Sequence, residues 1–137
     1  MDREVIEQKL ESLRHCLRRI ETKCPADAQT LATDPDLQDI IALNLSRAVQ
    51  VCVDIGAHLI SGMEVPPSDT MGQTFDLRAS AGVLTDALPS SLKKAVGFRN
   101  IAVHSYETIS WHIVRTIAKN HLVGFSEFAR VVALKCA

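Results

Sequence analysis

The sequence predicts an all-α protein, a bundle of five or six helices with an up-and-down core. Apolar residues recur at steps of three and four, and no region alternates apolar and polar residues for long enough to demand a strand. Hydrophobic residues make up 47% of the sequence but aromatic residues only 4%. The core must therefore be mostly Leu, Ile, Val and Ala, which suits packed helices. With 137 residues, the chain is expected to form one domain over residues 1–137.

The first predicted helix covers residues 2–23. Its apolar positions recur at alternating steps of four and three, and its opposite face carries oppositely charged residues three or four apart, which stabilise a helix. Cys24-Pro25 ends it, because proline disfavours helical backbone at the residue before it. Residues 26–34 are expected to form a polar connector or a short turn. The apolar positions of the first helix are Ile6, Leu10, Leu13, Leu17 and Ile20.

The second predicted helix covers residues 35–61, with Asp34 as its N-cap and Pro35 at its first position. Its apolar residues wrap most of its circumference, which predicts a central helix that is covered on several sides. Gly62 is a suitable stop. The polar residues that interrupt its apolar surface are Arg47, Gln50, Asp54 and His58.

The rest of the chain predicts further helices after a loop rich in Pro, Ser and Thr at residues 63–73. Each of these helices carries apolar residues at helical spacing and is bounded by a capping or helix-breaking residue. The first covers residues 75–88. The next is capped by Ser90 or Ser91 and carries apolar residues from Leu92 to Val103. The last two cover residues 108–120 and residues 123–135, with a bend near Gly124.

Charge and cysteine usage favour a cytoplasmic protein. The net charge is −1, with 15 basic and 16 acidic residues, so a nucleic-acid site would have to be a local basic cleft. The four cysteines form no CxxC pair, and no metal site is predicted. The first residues are charged at once, which is unlike a signal peptide. We expect no membrane span, since no uninterrupted apolar run approaches the roughly 20 residues that a span needs.

The densest polar cluster lies at residues 99–106, where the fourth predicted helix ends. On an ideal helix Asn100 and His104 share one face, and Arg99 and Tyr106 share another. Arg99 and His104 are then about 140° apart. One straight helix does not direct both side chains at one atom. We therefore expect the helix to loosen near His104 and a second copy of the chain to complete the site.

The chemistry that fits this cluster is phosphoryl transfer on RNA. A neutral His104 can take the proton of a ribose 2′-hydroxyl, and its protonated form can donate to the leaving oxygen. Arg99 can bind the phosphate and stabilise its developing negative charge, while Asn100 orients His104 or contacts the phosphate. This scheme requires no metal and no cofactor.

The segment from Arg99 to His104 has the R-x4-H form of the motif of HEPN ribonucleases, and Tyr106 extends it to R-x4-H-x-Y. With this extension the sequence resembles the HepT family of toxins. Residues 43–48 and 54–60 resemble the second helix of that family, and residues 92–100 resemble its approach to the motif. The resemblance covers nearly the full chain and predicts a HEPN-type bundle.

The resemblance implies a specific activity and a specific partner. HEPN toxins are metal-independent endoribonucleases that act as homodimers, with two copies of the motif facing one cleft. In the HepT system, a type II-like or type VII toxin–antitoxin pair, a minimal nucleotidyltransferase antitoxin called MntA transfers AMP from ATP to the motif tyrosine. That residue would be Tyr106 here. AMP adds bulk and negative charge beside His104, so it would block the cleft and repel RNA.

Several residues have two interpretations. Gln50, Asp54 and His58 are spaced four residues apart and form one polar stripe, which either makes an interhelical or dimer-interface salt bridge or supports Arg99 or His104. The pair at Lys93 and Lys94 either contacts RNA phosphate or is a solvated basic turn. The other histidines, His15, His112 and His121, are expected to be structural or solvated.

Two other function classes stay open beside the ribonuclease. The chain could be a non-catalytic HEPN subunit that binds a nucleotidyltransferase partner or a nucleotide, although the intact motif argues against this. It could also be only an obligate helical dimer whose polar stripe sets the pairing. The dimer alone would leave the density of polar residues at 99–106 unexplained.

Overall fold

A computed structural model describes residues 3–60, Gly97, Arg99, Asn100, and residues 109–120 and 122–135. Within these ranges the chain forms five α-helices and no strand, which confirms the predicted all-α class. Other sequence predictions lie outside the described residues. These are the stop at Gly62, the helix over 75–88, and the residues Lys93, Lys94, His104, Tyr106 and His121.

Helix α1 spans Arg3–Lys23 and ends immediately before Cys24-Pro25, as predicted. The apolar stripe expected from its sequence is the buried face, with Cys16 included in it. The charged face carries the expected ion pairs, such as Arg3 with Glu7 at 3.2 Å. More than half of both of these side chains is exposed, so the pair adds little stability. The position of α1 therefore depends on its apolar face.

Helix α2 spans Ala28–Thr33, where the sequence predicted a polar connector or a turn. Asp27 caps it, because its Oδ1 accepts hydrogen bonds from the backbone nitrogen of Thr30 at 2.7 Å and from the Thr30 hydroxyl at 3.0 Å. These hydrogen bonds lower the pKa of the Asp27 carboxyl. Leu31 is fully buried and ties the short helix to the core. The connector is thus helical because one good cap and one buried leucine suffice for it.

Helix α3 spans Pro35–Ile60, close to the predicted range of 35–61. Asp34 caps it as predicted, accepting from the backbone nitrogens of Asp36 at 3.0 Å and Leu37 at 3.2 Å. The helix packs along α1 and also contacts α2 and the two C-terminal helices, so its predicted central position is confirmed. Gln38 connects it to α2 by donating to the Leu31 carbonyl at 2.9 Å.

One property of α3 was not expected from the sequence. Its segment Pro35–His58 has 24 residues and a mean hydropathy of 1.4, so by length and composition it could cross a membrane. The sequence reading overlooked this because isolated polar residues break the apolar run without much lowering its average. Half of the most apolar window is buried inside the protein. A central helix covered by its own chain passes the same test, so this result is weak evidence for a membrane span.

Helices α4 and α5 span Trp111–Asn120 and Leu122–Lys135. The first was predicted to begin at 108, but Ile109 and Ser110 are not helical. The second was predicted over residues 123–135 with a bend near Gly124; it begins at Leu122, and Gly124 is buried with helical backbone. Arg115 of α4 donates to the carbonyls of Pro25 and Ala26, which fixes α4 against the connector between α1 and α2.

The core lies between α1, α3 and the two C-terminal helices. Phe125 and Phe128 of α5 are its largest fully buried side chains. Most of the other buried side chains are aliphatic, as the composition predicted, and Trp111 packs against them while half-buried. Each fully buried large apolar side chain contributes about 1.5–3 kcal/mol. The fully buried aliphatic side chains among the largest are Ile6, Leu13, Ile20, Leu31, Ile41, Leu45 and Ile55.

Candidate functional site

The described part of the polar cluster at residues 99–106 is helical. Gly97, Arg99 and Asn100 all have helical backbone, which agrees with the helix predicted to lead into the cluster. Arg99 is half-buried and Asn100 is exposed. A half-buried guanidinium keeps its charge and can still present donors to a ligand. How His104 and Tyr106 stand relative to Arg99 falls outside the described residues, and their roles stay predictions.

The predicted polar stripe on α3 is present as a hydrogen-bonded pair. The Gln50 side-chain amide donates to Oδ1 of Asp54 at 2.9 Å. The other carboxylate oxygen of Asp54 lies 3.6 Å from the ammonium nitrogen of Lys9 on α1. His58 follows one turn later and is half-buried. Of the alternatives left open for Asp54, the interhelical salt bridge is therefore present, and its partner belongs to the same chain.

The exposure of this salt bridge limits its energy. About a third of the Lys9 side chain and two fifths of the Asp54 side chain are exposed, at 33% and 41%. Ion pairs of this kind stabilise by about 0–1 kcal/mol. The bridge therefore adds little to the contact between α1 and α3, and the apolar faces of the two helices determine their register. Support of Arg99 or His104 by Gln50, Asp54 or His58 stays a prediction.

A groove that the sequence reading did not identify runs between α1 and α3. It has a volume of about 740 Å³, and its lining combines charged and neutral polar side chains with a larger share of apolar surface. The sequence predicted only that Arg47 interrupts the apolar surface of α3 and that His15 is structural or solvated. The signal that links them is the α1–α3 register, which a single sequence does not provide. The lining residues are Gln8, Glu11, Ser12, His15, Cys16, Arg18, Arg47, Gln50 and Val51.

Cys16 and Cys52 are free thiols in the contact between α1 and α3. Burial raises the pKa of the Cys16 thiol, and the nearby Arg47 guanidinium opposes this only in part. Burial also raises the pKa of the Cys52 thiol, and the neighbouring Cys16 adds to the effect. Both thiols therefore stay protonated near neutral pH and act as small hydrophobes, as the sequence predicted.

Comparison with known proteins decides the family. A profile of the ribonuclease HepT-like family matches residues 13–132, which includes all of the motif from Arg99 to Tyr106. The chain belongs to the HepT-like ribonuclease family. The family and the enzyme class predicted from the sequence, a ribonuclease, are thereby confirmed.

Individual HepT-like relatives cover almost the whole chain. The mRNA nuclease HepT of Shewanella oneidensis is 33% identical over 129 residues, which are 94% of this chain and 96% of the relative. The solved structure of a tri-AMPylated HEPN toxin from Shewanella oneidensis, in complex with an MNT antitoxin, superposes with a TM-score of 0.89. It is 32% identical, and the match covers 98% of this chain and 99% of that one.

A third HepT-like relative is a solved structure in which a tyrosine has been replaced. It is a MntA–HepT toxin–antitoxin complex that carries a tyrosine-to-alanine substitution, with a TM-score of 0.87 and 32% identity. The match covers 95% of this chain and 98% of that one. These solved structures are HEPN toxins in complexes with a nucleotidyltransferase-type antitoxin. The HEPN-type all-α fold predicted from the sequence is confirmed by this agreement.

Proposed function

We propose that this HepT-like chain is the toxin of a toxin–antitoxin pair and cleaves RNA by attack of a 2′-hydroxyl on the adjacent phosphate, without a metal ion. The observation that carries the proposal is the family match over residues 13–132, which contains an unbroken R-x4-H-x-Y motif. The relative named an mRNA nuclease supports RNA as the substrate class.

Each motif residue has one task in the proposed reaction. Neutral His104 takes the proton of the 2′-hydroxyl, the 2′-oxygen bonds to phosphorus, and the bond to the 5′-oxygen breaks. An imidazolium at His104 returns a proton to that 5′-oxygen. Arg99 binds the non-bridging oxygens as their charge grows, and Asn100 orients His104 or donates to the phosphate. The products are a 2′,3′-cyclic phosphate and a free 5′-hydroxyl.

RNA cleavage by the purified protein tests this mechanism. We expect Arg99→Ala and His104→Ala each to lower the cleavage rate by about 10²-fold or more, the usual effect of removing an oxyanion donor or a general acid–base. His112→Ala, which removes an exposed histidine of α4, is the matched control and should cleave like the wild type. An RNA with 2′-O-methyl groups should resist cleavage, because the attacking hydroxyl is blocked.

Equal activity of all these variants would contradict the proposed roles of Arg99 and His104. An intact protein that binds a nucleotidyltransferase but never cleaves RNA would instead support the non-catalytic subunit.

We also propose that an MntA-type nucleotidyltransferase silences the toxin by adding AMP to Tyr106. The tyrosine oxygen would attack the α-phosphorus of ATP, and pyrophosphate would leave. The AMPylated toxin and the tyrosine-substituted complex among the relatives support this step. The sequence contains one tyrosine, so AMP attached to tyrosine can only be on Tyr106.

Mass spectrometry after incubation with such a nucleotidyltransferase and ATP tests the modification. We expect the mass to rise by one or more AMP groups and RNA cleavage to fall in parallel, since the added phosphates repel RNA. Tyr106→Phe should keep its original mass. If Tyr106→Phe gains AMP as the wild type does, Tyr106 is not the acceptor.

A further inference from the structure

The register between α1 and α3 brings the basic side chains of His15, Arg18 and Arg47 together in the groove. Lys9 faces Asp54 at one level of the contact, and Cys16 lies near Arg47 at another. Lys9 and Cys16 are seven residues apart on α1, and Arg47 and Asp54 are seven apart on α3, so the helices run antiparallel in constant register. Arg47 therefore lies at the level of Cys16.

Two basic residues of α1 flank that level. His15 precedes Cys16 by one residue and Arg18 follows it by two, an axial offset of about 3 Å at most. Both are exposed and line the groove, as does Arg47 on the opposite wall. Three side chains that can carry positive charge thus lie within one helical turn, on both sides of the same groove.

The charges in the groove are only partly neutralised. Glu11 is the one carboxylate among the described lining residues, and it lies 3.7 Å from Arg18 and 3.2 Å from Arg14, which is not a lining residue. Arg47 is exposed and has no hydrogen bond or ion pair with any part of the chain that the structure describes. The Arg47 side chain is exposed and lines the groove, where its guanidinium can contact an anionic ligand.

Among the described lining residues, the groove has neutral hydrogen-bond donors beside its basic side chains and no aromatic side chain. Gln8, Ser12 and Gln50 offer neutral hydrogen-bond donors, and Cys16 and Val51 contribute apolar surface. Protein partners are held mainly by aromatic and apolar anchors in dry pockets. A nucleic-acid backbone is held by Arg and Lys together with neutral polar donors. The volume of about 740 Å³ is within the usual range for a ligand site.

We propose that the groove between α1 and α3 binds the phosphate backbone of the RNA substrate through Arg47 and Arg18, with His15 at its edge. This inference rests on the proposed ribonuclease function and adds a substrate-binding surface outside the R-x4-H-x-Y motif. Gln50 lines the groove and also donates to Asp54, so the phosphate site and the polar stripe of α3 are continuous. Arg47 and Arg18 bind substrate and take no part in bond breaking.

The test measures binding of a 2′-O-methyl RNA oligonucleotide to the full chain at several salt concentrations. This probe resists attack by its own 2′-oxygen, so binding is measured without cleavage. We expect Arg47→Gln to weaken binding about fivefold to twentyfold, the loss of one charge-assisted hydrogen bond to phosphate. The slope of log K against log salt should become shallower by about 0.7, the value for one lost phosphate contact on a single strand.

Three further variants make the test specific. Arg18→Gln, on the opposite wall, should weaken binding in the same direction and serves as a second variant if Arg47→Gln folds poorly. Arg47→Lys keeps the charge and should restore the salt slope. Arg130→Gln removes an arginine that pairs with Glu127 on α5, outside the groove, and should leave affinity unchanged. With cleavable RNA, Arg47→Gln should raise KM and leave kcat near the wild-type value.

The outcomes distinguish failure of the phosphate site from failure of the ribonuclease proposal. If wild-type protein cleaves RNA but Arg47→Gln and Arg18→Gln bind it like Arg130→Gln, the phosphate site is overturned and the ribonuclease proposal stands. If wild-type protein neither binds nor cleaves RNA, both proposals fail. If Arg47→Gln instead changes the molar mass in solution while the salt slope is unchanged, the groove contacts a protein and the RNA site is overturned.

Discussion

Burial determines the chemistry of the cysteines at the contact between α1 and α3. Cys52 is fully buried and Cys16 almost so, and burial raises the pKa of each thiol. A protonated thiol in an apolar setting is neither a nucleophile nor a metal ligand. The same two residues were expected from the sequence to be small hydrophobes, because both occur in apolar helical patterns. Residue type and helical periodicity were therefore sufficient to predict the role of these two cysteines.

The raised pKa of Cys52 predicts a stability loss in alkali. The unfolded thiol releases its proton above about pH 8.5, whereas the buried thiol keeps it. The folded state then binds more protons than the unfolded state, so the free energy of unfolding falls as pH rises through this range. Urea titrations at several pH values between about 7 and 10, with a reducing agent, measure the effect. Cys52→Ala should be less stable at neutral pH but should decline less steeply.

The matched control for Cys52 is Cys24→Ala, which removes a half-buried thiol. It should follow the wild-type pH dependence. If Cys52→Ala and the wild type lose stability in parallel as pH rises, the buried thiol does not cause the decline.

Among the elements, α3 was predictable and α2 was not. Asp34-Pro35 is a strong start signal, and 26 residues show a clear apolar distribution, so the range of α3 was nearly correct. A helix of six residues has too few positions to show periodicity, so α2 was read as a connector. The sequence did contain a possible N-cap, Asp27, three residues before Thr30, and one apolar residue, Leu31. Neither predicts a helix until the hydrogen bond of Asp27 and the burial of Leu31 are known.

The groove shows a different limit of sequence reading. Periodicity assigns residues to faces of one helix, but it does not say which residue of another helix lies opposite. Arg47 and Arg18 are 29 positions apart in the chain, and only the register of α1 against α3, in which Lys9 faces Asp54, brings them to one level. By contrast, the cluster at residues 99–106 was found because its members are neighbours in sequence. Sites within one segment are therefore easier to predict than sites between segments.

For the whole molecule, the number of chains in the active unit is the main open prediction. Helical angles place Arg99 and His104 about 140° apart on one straight helix, which favours a site completed by a second copy. The resemblance to HEPN toxins also implies a homodimer with two motifs facing one cleft. We propose that each reaction centre combines Arg99 of one protomer with His104 of its partner.

Complementation between inactive variants tests this arrangement. Arg99→Ala and His104→Ala are co-expressed with different tags, and the mixed dimer forms one centre with both residues intact and one with neither. Random pairing makes half of the dimers mixed, so we expect about a quarter of wild-type RNA cleavage. Each variant expressed alone should remain inactive and serves as the control. A mixture as inactive as its parts would place both residues of a centre in the same chain.

The apolar circumference of α3 also has a consequence for synthesis. A helix that is apolar on most sides is prone to aggregate until it is covered. The stripe of α1 that covers it precedes it in the chain, separated only by the short helix α2. When α3 leaves the ribosome, its antiparallel partner is already outside and within reach of a short loop. The N-terminal hairpin can therefore protect the most vulnerable segment before α4 and α5 have been translated.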